Sequence, residues 1–352
     1  MTSRTQRTVY LVGPERVELR EVPVPEPQEG EVLLRVDAAT TCGTDVKVFL
    51  RGGHPRMLRA PCPFGHEVSG TIAAVGPGPS RFRVGERAVV ANSAPCGTCA
   101  YCASGRENLC ADLAYLNGAF SEYLLVPRRF VERNLHRVPE GLPGEVAALA
   151  EPLACVLHGV EVSDLKGPSD VVVYGAGPIG LLFVGVLASR GHRVVAVDPS
   201  PDRLRAARDL GAATAVEIAA GPGRAAQVRA LAERPAGFDV AIDATGTPEG
   251  WLCAVESARP GGLANLFGGC APGTQVPLDT HLVHYSELTI KGAYHHRPAT
   301  FAAALDVLAR GDFDARRLLS FEVPLERLED ALRSMMRREA IKVVVRPDGK
   351  DR

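Results

Sequence analysis

The 352-residue chain has no apolar run near the ~18 residues that a membrane helix needs, which argues against a membrane partner. Residues 1–20 hold no apolar segment of the secretory kind, so the expected location is the cytoplasm. Net charge is almost absent, at −1, and the basic residues are scattered along the chain. That argues against nucleic acid or an acidic membrane as a partner. Lysine is scarce, with 5 of the 40 basic residues, and we read the arginine excess as composition rather than function. Apolar residues are not lacking: at 46% they exclude a disordered chain, and the length predicts about two domains. No internal repeat and no low-complexity segment is present.

Two styles of sequence follow one another. Up to about residue 150, short β-type runs such as EVLLRV (31–36), VSGTIAAV (68–75) and RAVVA (87–91) are broken by turn signals such as PVPEPQEG. This reads as an irregular, barrel-like β region. From about residue 168, apolar strands alternate with helical stretches: VVVY (171–174), VVAV (194–197), FDVAIDAT (238–245), GGLANLFGG (261–269) and LTIKGAY (288–294). That alternation predicts βαβ units and a parallel sheet. The tail from residue 300, two helices each followed by a strand, is too short for a domain and is expected to complete or cover the first.

Nine cysteines form an odd and uneven set. Cys96, Cys99, Cys102 and Cys110 fall at spacings suited to one tetrahedral Zn²⁺. Four thiolates leave no open coordination position, so such a site is structural. An iron–sulfur cluster is the other soft-ligand option, and four unrelated buried cysteines the bland one. Gly175, Gly177, Pro178, Ile179 and Gly180 lie between a predicted strand and a predicted helix, the setting in which a GxGxxG sequence cradles a dinucleotide pyrophosphate. Asp198 ends the next strand, where a carboxylate accepts ribose hydroxyls and repels a 2′-phosphate, so NAD is expected over NADP. Arg203 is placed to pack on the adenine ribose, and also leaves an NADP reading open.

A third constellation is weaker when taken singly. Cys42-Gly-Thr44-Asp45, Gly65-His66-Glu67 and Glu151-Pro-Leu153 each have ordinary core or surface readings. Together, a thiolate, an imidazole and a carboxylate with one position left for water or substrate make a plausible catalytic zinc site.

The order and spacing of these motifs, over essentially the whole chain, resemble the zinc-containing medium-chain alcohol dehydrogenases. Glu151-Pro-Leu153, where simple alcohol dehydrogenases place a cysteine ligand, is similar to the polyol (sorbitol) and threonine dehydrogenase branch. The resemblance implies an α/β architecture, with a GroES-like β domain over 1–152 completed by 295–352, and a doubly wound Rossmann domain over 153–294. It implies two zinc ions per chain, NAD, an alcohol or ketone substrate bound between the domains, and a homodimer or homotetramer. Cys42 and His66 would bind the catalytic zinc, with Glu67 and Glu151 competing for the remaining place. Thr44 would hydrogen-bond the substrate hydroxyl and pass its proton on, and Asp45 would orient His66. Further cofactor contacts would fall at Phe267, Gly268, Gly269 and Tyr294. Two positions depart from the family pattern. Lys47 stands where a proton-relaying histidine is common, and His295 and His296 stand where polyol dehydrogenases carry an arginine and an aromatic residue in contact with substrate. The readings left beside a secondary-alcohol dehydrogenase are a threonine 3-dehydrogenase-like activity, a zinc-free quinone or enoyl reductase, and a non-catalytic NAD-binding redox sensor.

Overall fold

The computed structural model describes residues 4–218, 221 and 223–348. The chain divides into two compact units. The first takes the chain up to Ala154, Arg297–Arg310 and the segment from Leu319 onward; the second takes Cys155–His296 and Gly311–Leu318.

The first unit is built on a seven-stranded sheet. Its order is Leu135–Arg137, Arg87–Val90, Glu67–Val75, Val32–Thr40, Lys342–Val345 and Leu319–Val323, with Tyr123–Val126 also paired to Val32–Thr40. Val9, Leu34, Phe49, Phe64, Ile72, Phe120 and Val343 fill its core. Thr40 lies opposite Glu67 on one side and Val344 on the other, so the Glu67 strand and the C-terminal strand flank Val32–Thr40.

The second unit holds a six-stranded parallel sheet, ordered Thr214–Val216, Arg193–Val197, Asp170–Tyr174, Phe238–Asp243, Ala258–Leu266 and Thr289–Gly292. Crossing from the third of these strands to the second and fourth reverses the direction of winding, which opens a crevice at the strands' carboxyl ends. Every residue of Asp170–Tyr174 is buried, as expected for a central parallel strand covered on both faces. The following helix, Pro178–Ser189, is buried from Gly180 to Leu187, which is why it is apolar all round rather than amphipathic.

The structure adds three features to the sequence reading. The Cys42 motif, between strands Val32–Thr40 and Gly53–His54, opens a nine-residue helix, Gly43–Arg51. Glu151 lies in the first turn of a 13-residue helix, Ala150–Val162. Gly311–Leu318 clusters with the second unit rather than with the rest of the tail. The physical cause lies at Gly185, whose missing side chain makes room for the Phe313 ring, and in the ion pair of Arg317 with Asp209 at 2.9 Å.

Candidate active site

Cys42 is the N-cap of helix Gly43–Arg51, and its sulfur accepts the Thr44 N–H at 3.4 Å. Reciprocally, the Asp45 carboxylate accepts the Cys42 N–H at 2.8 Å, which closes a capping box. The other Asp45 oxygen lies 3.0 Å from His66 Nδ1. One buried carboxylate therefore fixes both the helix start that carries the thiol and the ring of the imidazole, leaving His66 Nε2 as the atom for a metal. Ligand atoms of Cys42, His66 and Glu67 all lie within 4.8 Å of one another, and all three residues are buried. Burial by itself would push the His66 pKa down; Asp45 and Cys42 outweigh it and hold the pKa well above the ordinary histidine value. A buried thiolate–imidazole–carboxylate set with its ligand atoms this close suits zinc.

The two candidate carboxylates have different surroundings. Glu67 is fully buried, with one oxygen accepting the Thr40 hydroxyl and with Lys342 Nζ 2.6 and 2.9 Å from its two oxygens. Lys342 also donates to the Thr41 carbonyl at 2.6 Å. Burial would lower the Lys342 pKa, but the Glu67 charge outweighs it and raises the value above that of an ordinary lysine. Glu151 has its pKa pushed up to about 7, mainly by burial, with the His66 charge opposing and the Glu67 charge adding to the shift.

Cys96, Cys99, Cys102 and Cys110 converge, and none is disulfide-bonded. The Cys99–Cys102 sulfurs are 3.6 Å apart, and the Cys96–Cys102 and Cys99–Cys110 pairs 3.9 Å. A tetrahedron with Zn–S bonds of about 2.3 Å has edges of about 3.8 Å, so the lobe fits one zinc ion. The backbone N–H groups of Thr98 and Cys99 lower the Cys96 thiol to about 5, whereas burial pushes Cys102 up to about 12.

In the second unit the glycine turn has the shape its sequence suggests. Gly175 has φ +91°, and a side chain there would press on Thr245. A Cβ at Gly180 would sit 1.7 Å from the Gly175 carbonyl, so helix and strand touch backbone to backbone. A Cβ at Gly177 would meet only Arg203, at 4.0 Å. Gly177 is the N-cap of Pro178–Ser189, and no side chain caps it. This is an open, positively polarised helix end of the kind that takes a phosphate. Asp198 is buried, its two oxygens accepting the Ala176 and Ser200 N–H groups at 2.8 Å each, which ties it to the glycine turn. Ile179 lies in the first turn of the helix that starts at Pro178, and Arg203 in the helix Pro201–Asp209.

Phe267 packs edge-on against Phe183 at 5.0 Å, and the Gly268 carbonyl accepts the Trp251 indole N–H at 2.7 Å. Gly269 follows in the same loop. Tyr294 is 41% exposed, His296 is buried, and His295 between them has φ +60° with its ring 4.1 Å from that of His296. Lys47 sits on the exposed face of its helix.

Two residues escaped sequence reasoning. Lys342 lies 275 positions from Glu67 in a strand that reads as ordinary β-sheet. Asp243 is fully buried at the end of Phe238–Asp243, where its carboxylate accepts the Thr245 N–H and hydroxyl at 3.0 and 2.6 Å and the Gly246 N–H at 3.0 Å. Its carbonyl accepts the Gly268 N–H at 2.8 Å, which joins two loops of the crevice. The aspartate before a Thr-Gly turn was the available signal.

Comparison with known proteins bears on both units. Residues 28–140 match the alcohol dehydrogenase GroES-like domain, and residues 178–310 match the zinc-binding dehydrogenase domain. Sorbitol dehydrogenase of Bacillus subtilis is 30% identical over 98% of each chain. D-altritol 5-dehydrogenase of Agrobacterium fabrum is 35% identical over 91% of this chain and 93% of its own. A zinc-binding dehydrogenase from Sinorhizobium meliloti, solved with NADP bound, superposes with a TM-score of 0.89 at 29% identity, covering 98% of this chain and 100% of the other.

Proposed function

The chain belongs to the zinc-containing medium-chain dehydrogenases, oxidoreductases acting on CH–OH groups, and from that premise we propose that it oxidises a secondary alcohol of a polyol or sugar with NAD. The observation that carries the site assignment is the Asp45 carboxylate, which bridges the Cys42 N–H and His66 Nδ1 and so presents thiolate and imidazole together. Bound there, zinc would supply a Lewis acid for an alcohol oxygen, and a nicotinamide would supply the acceptor for the carbinol hydride.

The residues around that chemistry divide the work. Cys42 and His66 are the metal ligands. Glu67, held by Lys342 and Thr40, and the buried Glu151 compete for the remaining place, directly or through water. Thr44, two residues after the thiol ligand, accepts a hydrogen bond from the substrate hydroxyl and relays its proton outward, with Lys47 on the exposed face of the same helix, or water, next in the path. Cys96, Cys99, Cys102 and Cys110 hold a structural zinc. Gly175, Gly177, Pro178, Ile179, Gly180, Asp198, Arg203, Phe267, Gly268, Gly269 and Tyr294 form the cofactor site, and His295 and His296 face substrate.

The buried Asp198 carboxylate beside the glycine turn supports NAD over NADP. None of the nine cysteines is disulfide-bonded, which supports a cytoplasmic location, and no described helix is long and apolar enough to cross a membrane. The outer edge of strand Thr289–Gly292, next to the exposed Tyr285, supports pairing with a second copy in a homodimer or homotetramer. Thr44→Val tests the proton path. It keeps zinc content and NAD affinity while turnover falls about 100-fold or more. Near-normal turnover would remove Thr44 from the mechanism.

A further inference from the structure

The fifteen-residue loop from Cys96 to Cys110 leaves and rejoins the first unit through a short stem. Strands Ser93–Ala94 and Ala114–Tyr115 pair there, and the Leu116 N–H donates to the Asn92 carbonyl at 2.8 Å. Helix Arg128–Asn134 packs against the entry strand and reaches the stem with two side chains. Arg129 Nε donates to the Pro95 carbonyl at 3.1 Å, one residue before the first cysteine of the lobe. Its Nη1 donates to the Asp112 carboxylate at 2.9 Å and its Nη2 to the Asp112 carbonyl, two residues after the last cysteine. One guanidinium fork therefore ties the loop's entry to its exit. Asn134 is fully buried and donates from Nδ2 to the Ser93 carbonyl at 2.6 Å, which fixes the entry strand.

Arg133 stands one helical turn beyond Arg129 and makes no ion pair among the described residues. Its guanidinium lies on Gly97: a Cβ there would sit 2.4 Å from Nη2 and 2.7 Å from Cζ. Gly97 has φ +80° and follows the first cysteine of the lobe. It belongs to the turn whose next two N–H groups, of Thr98 and Cys99, point at Cys96 Sγ at 3.4 and 3.3 Å. Zn²⁺ held by four thiolates is a net dianion, so an unpaired cation on this turn answers its charge. A loop whose ends the protein has already joined also spends less of the metal's binding free energy on closing.

We propose that Arg129 and Arg133 are positioning residues for the zinc of the cysteine lobe. Arg129 latches the two ends of the loop, Arg133 balances the thiolate charge, and together they set how fast the metal leaves. The two arginines act by different means. The Arg129 fork spans Pro95 and Asp112 at once, which the single ammonium of a lysine does not reproduce. Arg133 contributes its charge, which a lysine retains. The inference rests on the reading of the lobe as a zinc site and adds to it what retains the ion.

The test follows zinc release from the zinc-loaded full-length protein to an excess of the chelator 4-(2-pyridylazo)resorcinol by absorbance. The lobe phase is the one missing from Cys102→Ser. Arg129→Met and Arg133→Met each speed that phase by about 10- to 100-fold, the usual effect of losing a partner that supports a metal site, and change release of the catalytic zinc by less than about twofold. Arg133→Lys returns the rate to within about threefold of wild type, whereas Arg129→Lys stays fast. In 1 M KCl, where charges are screened beyond about 3 Å, the Arg133→Met effect shrinks by at least half and the Arg129→Met effect persists. Should Arg129→Met not fold, the exposed substitution Asp112→Ala removes the carboxylate half of the latch and speeds the lobe phase by about three- to tenfold. Wild-type lobe release in the methionine variants, equal acceleration of both zinc ions, or rescue by lysine at 129 but not at 133 would overturn the latch alone. A wild type that holds the catalytic zinc and no metal in the lobe would overturn the zinc reading of the lobe and the latch with it.

Discussion

Replacing Lys342 with methionine isolates the electrostatic support of Glu67 in the proposed metal site. Lys342 and Glu67 are both fully buried, and the ammonium lies 2.6–2.9 Å from three oxygens, two of Glu67 and the Thr41 carbonyl. The Lys342→Met side chain would fill similar volume but leave the Glu67 carboxylate with only the Thr40 hydroxyl as a partner. Stranding one member of a buried ion pair costs about 3–5 kcal/mol. The surrounding unit has about 200 residues, for which each kcal/mol moves Tm by roughly 2–4 °C, so a fall of about 6–20 °C is expected. The assay is thermal and urea unfolding of the zinc-loaded protein, with zinc content measured alongside. The double change Lys342→Met with Glu67→Gln removes the stranded charge and recovers at least half of the loss. A single variant within about 1 kcal/mol of wild type, or a double variant no more stable than the single, would refute the reasoning.

Other perturbations separate the remaining parts of the site. In zinc-stripped protein, Glu151 has a folded pKa of about 7, above its ordinary value. Its contribution to stability is therefore complete below about pH 4.5 and is lost as pH rises through 7, by up to about 3 kcal/mol. Glu151→Gln removes that loss, so the variant gains on wild type between pH 5 and 8 in urea unfolding; parallel pH profiles would contradict the assignment. Gly177→Ala meets open space and keeps wild-type stability within about 1 kcal/mol, but its methyl group stands where a pyrophosphate approaches, so NAD binding measured by calorimetry weakens about 10-fold or more. Gly180→Ala, by contrast, drives a methyl into the Gly175 carbonyl and lowers Tm before any cofactor is added. Cys102→Ser reduces zinc from two ions per chain to one by elemental analysis and lowers Tm, because it opens a closed four-thiolate site.

Much of this was readable from the chain because the chemistry was local in sequence. The glycine turn spans six residues, the cysteine lobe fifteen, and the parallel strands announce themselves as short apolar runs between helices. What stayed hidden depends on distance or on an unusual cap. The helix Gly43–Arg51 starts on a cysteine, which is outside the usual serine, threonine, aspartate and asparagine signals, so the capping box between Cys42 and Asp45 shows only in three dimensions. Lys342 reads as one residue of a buried strand, and only the register of that strand against Val32–Thr40 brings it to Glu67. Glu67 and Glu151 are indistinguishable as letters, yet one is paired to a lysine and the other is raised by burial. Phe313 gave no sign that it packs into the gap at Gly185, so the division of the tail between the two units was not legible.

The most direct measurement of the central claim is NAD reduction by the purified protein over a panel of hexitols, pentitols, cyclitols, threonine and simple secondary alcohols, before and after chelation, with NADP as the alternative acceptor. The expected result is turnover with a polyol and NAD that disappears on chelation and returns with zinc. Protein that carries two zinc ions and binds NAD, yet reduces it with no secondary alcohol, or turns over equally well after the catalytic metal is stripped, would contradict the claim.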